Sequence, residues 1–357
     1  MSSAPFPAAA APTAAPAASS SANPETTQPL LSICVPTYRR PDLLDRALRS
    51  LGRLPAEVEV IISDNDAAAD QGEQVTTQAL AEQLPGTWRY YRNAPGGSAA
   101  TNWVACIERV RGQYVLMLHD DDYLLPGGLQ TVLTTLRQLR QQPAAVHAVL
   151  FGVSVVDAQE RELQRQQPTG AGYLPPAAAV EAVLTDSALV RMPALVVSRE
   201  AYQHTGGPDP SQRNTDDTDL WLRVFAFGGV HLVPALTAAY SVHEGALTTG
   251  VFHEQNIELL QRIFQKARTR NLLPEARLRR AENQFFHQFI LAGAYRALRR
   301  HDADGARQAL RLFQLPTLRH LSTPLRWLPI RWGLGVLVRL NVTPPRLNRL
   351  SWLRPTA

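Results

Sequence analysis

The chain has 357 residues, of which 45% are hydrophobic and 19% are charged, and its formal net charge is +5. This composition excludes a wholly disordered chain and allows one large or two smaller globular domains. Nine arginines lie between Arg307 and Arg354 and no acidic residue follows Asp304, so residues 1–304 have a net charge of 5 − 9 = −4. Basic residues concentrated at one end are atypical of a nucleic-acid-binding protein, and we expect no nucleic-acid partner.

The first 29 residues are almost wholly Ala, Pro, Ser and Thr, without a basic start or an apolar run. We therefore expect a disordered lead at residues 1–29 and no secretory signal. The two cysteines, Cys34 and Cys106, lie far apart in apolar surroundings and lack the spacing of a metal site. This arrangement favours buried free thiols in a reducing cytosol.

Short apolar strands and helices alternate from Leu30 onward. Strands are predicted at 31–35, 58–62, 88–91, 114–118, 146–156 and 194–197, and helices at 41–51, 72–84, 99–110, 126–141 and 216–227. Residues 160–180 are expected to form a Gln-, Pro- and Gly-rich loop, and the chain is expected to be helical beyond Gly250. This alternation predicts an α/β fold with an open, mostly parallel sheet flanked by helices.

Polar side chains follow three of these strands directly. Thr37 and Tyr38 follow the first strand, Asp64 ends the second, and the run Asp120-Asp121-Asp122 follows the strand at 114–118. Ligands of open α/β sheets bind at the carboxyl ends of the strands, so we expect one nucleotide-sized site there. Adjacent carboxylates repel one another unless a cation such as Mg²⁺ or Mn²⁺ offsets them. The alternative is a solvated acidic turn before the next helix.

Several segments carry a resemblance to a known family. They are Leu31–Arg40, Ser63-Asp64-Asn65, residues 93–102, Gly112-Gln113-Tyr114 before the Asp run, Gly206-Gly207, residues 216–223 and Tyr240-Ser241-Val242-His243. In this order they resemble glycosyltransferase family 2, whose members have the GT-A fold. The resemblance covers about residues 30–250. It implies a nucleoside diphosphate sugar as donor, with a UDP-sugar expected first, and Mg²⁺ or Mn²⁺ as cofactor.

The resemblance assigns donor-binding roles to particular residues. It places Pro36, Thr37 and Tyr38 beside the nucleotide base of the donor, where Tyr38 stacks on a pyrimidine ring. It makes Asp64 the acceptor of a hydrogen bond from that base. It also adds Asn102 to the donor site. The alternatives are a strand-ending turn for the first three and a helix N-cap for Asp64. Ser63 stands where the family often has a second Asp, and Asn65-Asp66 stand where it often has Gly–Ser.

The Asp run corresponds to the D-x-D element of the family. The resemblance implies that Asp120 contacts the ribose and that Asp122 or Asp121 holds the metal, a choice the sequence leaves open because both are Asp. We assign Asp120 and Asp121 to the donor and Asp122 and His243 to the metal. His243 matches a metal- or diphosphate-binding His of some relatives and is otherwise an ordinary loop residue.

A second acidic segment supplies the candidate general base. The family usually has Glu-Asp where this chain has Asp216-Asp217, and the resemblance makes Asp217 the group that accepts the proton of the attacking hydroxyl. Asp219 competes with it by spacing, because Asp216 and Asp219 share one side of a helix. The alternative for the whole cluster is an acidic first turn that suits the helix dipole.

We therefore expect an inverting, metal-dependent hexosyltransferase that transfers a sugar to a hydroxyl of a glycan or lipid-linked acceptor of the cell-surface polysaccharide type. The alternative is a non-catalytic relative that binds a sugar nucleotide in an assembly. A nicotinamide dehydrogenase is disfavoured, because it would carry G-x-G-x-x-G where residues 36–40 read Pro-Thr-Tyr-Arg-Arg.

The expected domains are the lead at 1–29, a GT-A domain at 30–250 and a helical, basic C-terminal region at 251–357. Residues 325–340 mix arginines with Trp and aliphatic residues, a composition typical of a helix lying on an anionic membrane. Their apolar run is too short to span a bilayer. The alternative is a helix packed on the catalytic domain. We expect a cytoplasmic protein whose residues 320–357 contact the inner face of the membrane if the first interpretation holds.

Overall fold

A computed structural model describes residues 18–20, 28–66, 71–94, 97–186, 188–242 and 252–344. The described residues form two compact units. Unit 1 comprises those within Met1–Pro176, Val190–Asp216 and Arg223–His243, and unit 2 comprises those within Ala177–Leu189, Asp217–Leu222 and Glu244–Ala357. Among these residues, no helix combines the length and the apolar character that crossing a bilayer requires.

Unit 1 is built on one sheet. Its strands are β1 (Ala18–Ser20), β2 (Leu31–Thr37), β3 (Val58–Asp64), β4 (Thr87–Arg92), β5 (Tyr114–Met117), β6 (Tyr123–Leu124), β7 (Ala148–Val156), β8 (Glu162–Gln166), β9 (Gly172–Leu174), β10 (Leu195–Ser198) and β11 (Val230–Ser241). The strand order is β1-β4-β3-β2-β5-β10-β7-β11-β6, with β8 beside β7 and β9 beside β11. Strands β4, β3, β2 and β5 are parallel to one another, as are β7 and β11.

The helices of unit 1 are α1 (Pro41–Ser50), α2 (Gln71–Glu82), α3 (Ala99–Ile107), α4 (Gly128–Arg140), α6 (Arg199–Thr205) and the two ends of α7 (Asp216–Gly228). Helix α1 begins at a proline and buries Leu44, Ala47 and Leu48. The side chain of Ser98 caps α3 by accepting a hydrogen bond from the backbone N–H of Thr101 at 3.2 Å. The predicted α/β class with flanking helices is confirmed.

The parallel strands β2, β3 and β5 are buried throughout, which explains their near-continuous apolar sequence. Gly112 fixes the start of β5, because a Cβ atom at this position would lie 2.7 Å from the backbone nitrogen of Ser32 on β2. The backbone N–H of Gly112 donates to the Ser32 hydroxyl at 2.9 Å. Cys34 and Cys106 are buried free thiols, as predicted.

Three regions differ from the sequence-based expectation. The loop expected at 160–180 contains β8, β9 and the start of α5 (Pro176–Thr185). Strand β8 pairs only along the edge of β7 and its side chains are mostly exposed, so it lacks the apolar pattern that marks a buried strand. The long strand β11 was not expected, because Pro234 interrupts it and its pairing with β7 shifts register nearby. Of the lead expected to be disordered at 1–29, residues 1–17 and 21–27 lie outside the described residues, and residues 18–20 form β1, antiparallel to β4.

Unit 2 is helical, as predicted for the C-terminal region. It contains most of α5, the middle of α7, and α8 (Glu254–Thr269), α9 (Glu275–Arg299), α10 (Ala303–Arg311) and α11 (Leu328–Leu340). One of its apolar clusters joins α9, α10 and α11 through Leu291, Leu298, Ala306, Trp327, Leu334 and Val338, all of which are buried. The basic composition of this region therefore coexists with a packed apolar interior.

Candidate functional site

The carboxyl ends of β2, β3 and β4 bring the first polar residues together. In the parallel register Thr37 pairs with Asp64, and Asp64 pairs with Arg92. Strand β5 ends at Met117, directly before the segment that carries the Asp run. The three aspartates predicted to share one site with Thr37 therefore leave the sheet at the same edge.

Asp120 connects the Asp run to the end of β2. Its buried carboxylate accepts a hydrogen bond from the Thr37 hydroxyl at 2.9 Å and one from the backbone N–H of Tyr38 at 3.4 Å. Burial and the neighbouring charge of Asp121 raise the pKa of Asp120 to about 6. The ionised form is thus costly here unless a cation lies nearby.

Two arginines of the α1 region place positive charge beside the Asp run. Neither was predicted as a site residue. Arg40 lies 2.9 Å from the carboxylate of Asp121 and 3.5 Å from that of Asp120. Arg46 donates to the backbone carbonyl of Asp121 at 2.5 Å and to the hydroxyl of Ser241 at 3.2 Å. Arg40 lies within the segment that resembles the family, but its spacing from the Asp run gave no sign of this contact.

Asp122 is the most deeply buried of the three, with 1% exposure. One carboxylate oxygen accepts a hydrogen bond from the backbone N–H of Ser241 at 2.8 Å. The other oxygen, Oδ2, is buried and has no hydrogen-bond partner among the described residues. Burial, reinforced by the charge of Asp121, raises the pKa of Asp122 well above its ordinary value. An orphaned carboxylate oxygen of this kind calls for a cation or a proton.

His119 completes a possible metal centre. One ring nitrogen of His119 and one carboxylate oxygen each from Asp121 and Asp122 lie within 4.8 Å of one another. The Nε2 atom of His119 is buried without a hydrogen-bond partner among the described residues, and its ring stacks on Trp103 of α3 with centroids 4.7 Å apart. Burial lowers the pKa of His119, which favours the neutral imidazole that binds metals. These side chains fit a divalent ion.

The metal ligands assigned from the sequence were Asp122 and His243. Asp122 belongs to the cluster, together with Asp121, and His243 lies outside the described residues. His119 was missed, although it directly precedes the Asp run and histidine is a common metal ligand. The resemblance directed attention to the Asp run and to His243 instead.

The residues assigned to the base have mixed exposure. Pro36 and Thr37 are buried, whereas Tyr38 exposes half of its surface. The Asp64 carboxylate is buried and accepts hydrogen bonds from the hydroxyl of Tyr90 and the backbone N–H of Asp66, both at 2.9 Å. Burial is the main cause that raises the pKa of Asp64.

Asn102 belongs to an amide network under these loops. It donates to the backbone carbonyl of Thr37 at 3.2 Å and accepts from the side chain of Asn93 at 3.0 Å. The Asn93 amide also donates to the side chains of Ser63 and Asn65. The network therefore fixes the ends of β2 and β3 relative to α3.

The second acidic segment lies at the start of α7. Asp217, in unit 2, is half-buried and accepts hydrogen bonds from the backbone N–H of Thr218 at 2.5 Å and from its hydroxyl at 3.1 Å. Asp219 is fully buried and forms an ion pair with Lys266 at 2.6 Å. Arg213, just before the helix, has a left-handed φ of +48°, a strained conformation for a residue with a side chain.

Comparison with known proteins adds independent information. The family model described as Glycosyl transferase family 2 matches residues 32–175. An uncharacterized protein of Mycobacterium tuberculosis is 35% identical over 116 residues, which are 32% of this chain and 35% of that protein. A GalNAc(5)-diNAcBac-PP-undecaprenol beta-1,3-glucosyltransferase of Campylobacter jejuni is 29% identical over 108 residues, which are 29% of this chain and 34% of that protein. This chain thus spans about a third of the length of both relatives.

Solved structures share the fold at low sequence identity. S. aureus TarS has a TM-score of 0.56 and 14% identity, with 87% of this chain and 53% of that chain covered. The mannosyltransferase PcManGT of Pyrobaculum calidifontis, solved in complex with GDP-Man and Mn²⁺, has a TM-score of 0.51 and 15% identity, with 88% of each chain covered. Residues 32–175 therefore match glycosyltransferase family 2, and the described structure shares the GT-A fold of these solved glycosyltransferases.

Proposed function

We propose that this chain is an inverting, metal-dependent hexosyltransferase that moves a sugar from a nucleoside diphosphate to a hydroxyl of a glycan or lipid-linked acceptor. The observation that carries the proposal is the cluster of His119, Asp121 and Asp122, in which a buried carboxylate oxygen lacks a partner among the described residues. It lies in a segment of family 2 sequence, next to the contact between Asp120 and Thr37.

The metal centre is assigned to His119, Asp121 and Asp122, and His243 remains a proposed fourth ligand. A bound Mg²⁺ or Mn²⁺ supplies Lewis-acid stabilisation of the charge that develops on the departing nucleoside diphosphate. An imidazole among carboxylates suits Mn²⁺ better than Mg²⁺, which prefers oxygen ligands. Arg40 already contacts the carboxylate of Asp121, so it compensates this charge before an ion binds.

The donor site is assigned to the residues at the ends of β2, β3 and β5. The half-exposed ring of Tyr38, which has the Arg39 guanidinium 5.2 Å from its centroid, is proposed to stack on the base, and Asp64 is proposed to accept a hydrogen bond from the base. Pro36 and Thr37 shape the same loop, which Asn102 holds in place. Asp120 is proposed to bind the ribose and Asp121 to contribute to donor binding through the ion. We place UDP first among the donor nucleotides, because S. aureus TarS has been solved with UDP and UDP-GlcNAc.

Asp217 is proposed as the general base. Its competitor Asp219 is buried against Lys266, an arrangement that suits a structural role. Asp217 is half-buried, and Thr218 orients one of its oxygens through two hydrogen bonds. A carboxylate held in this way can take the proton of the attacking hydroxyl, and direct inversion needs no covalent intermediate.

The acceptor and the location of the enzyme complete the proposal. The C. jejuni relative is named for an undecaprenol-linked acceptor, which supports a lipid-linked glycan here. A cytoplasmic enzyme that modifies such acceptors benefits from contact between its basic residues 320–357 and the inner face of the membrane.

A donor panel tests the activity. The purified protein is incubated with UDP-, GDP- and dTDP-sugars in Mn²⁺ or in EDTA, and release of the nucleoside diphosphate is measured. We expect Mn²⁺-dependent release from one donor class, and loss of that release in Asp122→Asn. No release from any donor, in the presence of lipid-linked acceptors, would favour a non-catalytic binder.

A further inference from the structure

The outward side of α11 carries an apolar stripe. Leu328, Trp332, Val336 and Leu340 recur at every fourth position and therefore lie along one side of the helix. Trp332 is 75% exposed and Leu328 is 46% exposed, and Leu325, in the short helical turn before α11, is 84% exposed. We call these five residues the α11 stripe. Exposed side chains of this size in one row are unusual on a surface that faces only water.

The α11 stripe lies outside the apolar cluster that the described residues of α9, α10 and α11 form. The opposite side of α11 is already packed, because Leu334 and Val338 are buried with Trp327 against α9 and α10. A helix that is apolar on two sides and packed on only one has a second apolar surface to cover.

The charge around the α11 stripe indicates what covers it. No acidic residue follows Asp304 in the chain, whereas Arg326 and Arg339 are exposed beside the stripe. Arg331 lies on the packed side, with its guanidinium 4.4 Å from the ring centroid of Phe313. A second copy of the chain would bring two equally basic surfaces together, which disfavours self-association. A surface of anionic lipid headgroups over an apolar layer complements both the charge and the Trp and Leu side chains.

We infer that α11 lies on an anionic lipid bilayer, with the α11 stripe entering the boundary between headgroups and acyl chains. Arg326 and Arg339 contact lipid phosphates. At 13 residues the helix is too short to cross the bilayer, so it lies along the surface. The inference rests on the proposed function in one respect: the membrane is the surface on which the enzyme would meet a lipid-linked acceptor.

Vesicle sedimentation of the full chain tests the inference. We expect binding to vesicles of phosphatidylglycerol and phosphatidylcholine, weaker binding at high salt, and little binding to phosphatidylcholine alone. Trp332→Glu and Leu328→Glu should each lower the partition coefficient about tenfold or more. The matched control is Leu163→Glu on β8 of unit 1, because the 47% exposure of Leu163 is similar to the 46% exposure of Leu328. This variant should bind the vesicles as wild type does.

Folding and donor binding are monitored in the same variants. Leu325→Glu provides a variant at the most exposed position, where a fold defect is least expected, and each variant is compared with wild type by its melting temperature. Wild-type binding by all three stripe variants would overturn the inference, as would a wild-type dimer that Trp332→Glu separates without any vesicle binding. If vesicle binding fails while Mn²⁺-dependent UDP binding persists, the membrane inference alone is wrong and the proposed function stands.

Discussion

The two aspartate clusters of this chain have similar charge and different surroundings. In the Asp120–Asp122 run, the carboxylates of Asp120 and Asp122 are buried with raised pKa, and Asp122 keeps an oxygen that has no hydrogen-bond partner among the described residues. In the cluster at the start of α7, Asp219 has its own lysine and Asp217 is held by Thr218. An excess of buried negative charge thus indicates a cation site, whereas the ion pair of Asp219 with Lys266 indicates a structural carboxylate.

The largest effect is expected within the second cluster. Asp217→Asn keeps the shape of the side chain but removes the proton acceptor, so kcat should fall by about 10²–10⁴-fold while the donor dissociation constant stays within about twofold. Steady-state kinetics and calorimetric donor titration measure the two quantities. Equal loss of turnover and donor binding would place the base elsewhere.

The pairing of Asp219 is tested through its lysine. Lys266→Met removes the ion-pair partner of the buried Asp219 carboxylate and should lower the free energy of unfolding by about 3 kcal/mol, measured by urea denaturation. The double variant Asp219→Leu/Lys266→Met should recover most of this loss, since it also removes the buried carboxylate charge. Mn²⁺ should not rescue Lys266→Met. Rescue by Mn²⁺ would mean that this cluster also binds an ion and that the comparison is wrong.

Arg40→Met removes the arginine that pairs with Asp121 in the Asp120–Asp122 run. The arginine is partly exposed, so the loss should be smaller, about 1 kcal/mol without metal. Mn²⁺ should reduce this loss of stability, because the bound ion replaces the positive charge beside Asp121. In the variant the ion also has no guanidinium to compete with. Melting temperatures with Mn²⁺ and with EDTA give the difference. An equal deficit in both conditions would indicate that Arg40 and the ion do not share Asp121.

The smallest effect concerns Asp64. Burial raises the pKa of its carboxyl in the folded protein, so between the ordinary value near 4 and the folded value the folded state holds a proton that the unfolded state has released. The free energy of unfolding therefore falls as pH rises through this interval. Asp64→Asn has no such proton, and its melting temperature relative to wild type should rise as the pH increases above the ordinary carboxyl value near 4. A constant difference would contradict this assignment.

Much of the first unit follows from the sequence. Continuous apolar runs predicted β2, β3 and β5, and polar residues at their ends predicted a shared edge, because parallel strands place their carboxyl ends together. The edge strand β8 and the proline-containing β11 were not predictable from apolar periodicity, since their side chains are largely exposed or their register shifts. The contacts of Arg40 and His119 depend on how loops fold back onto the Asp run, which residue spacing does not encode.

The central claim is that a divalent ion at the Asp run is required for nucleotide binding. The most direct measurement is calorimetric titration of UDP into wild type and Asp122→Asn, each in Mn²⁺ and in EDTA. We predict that wild type binds UDP at least about tenfold more tightly in Mn²⁺ and that Asp122→Asn loses this difference. Equal UDP affinity in all four titrations would contradict the account.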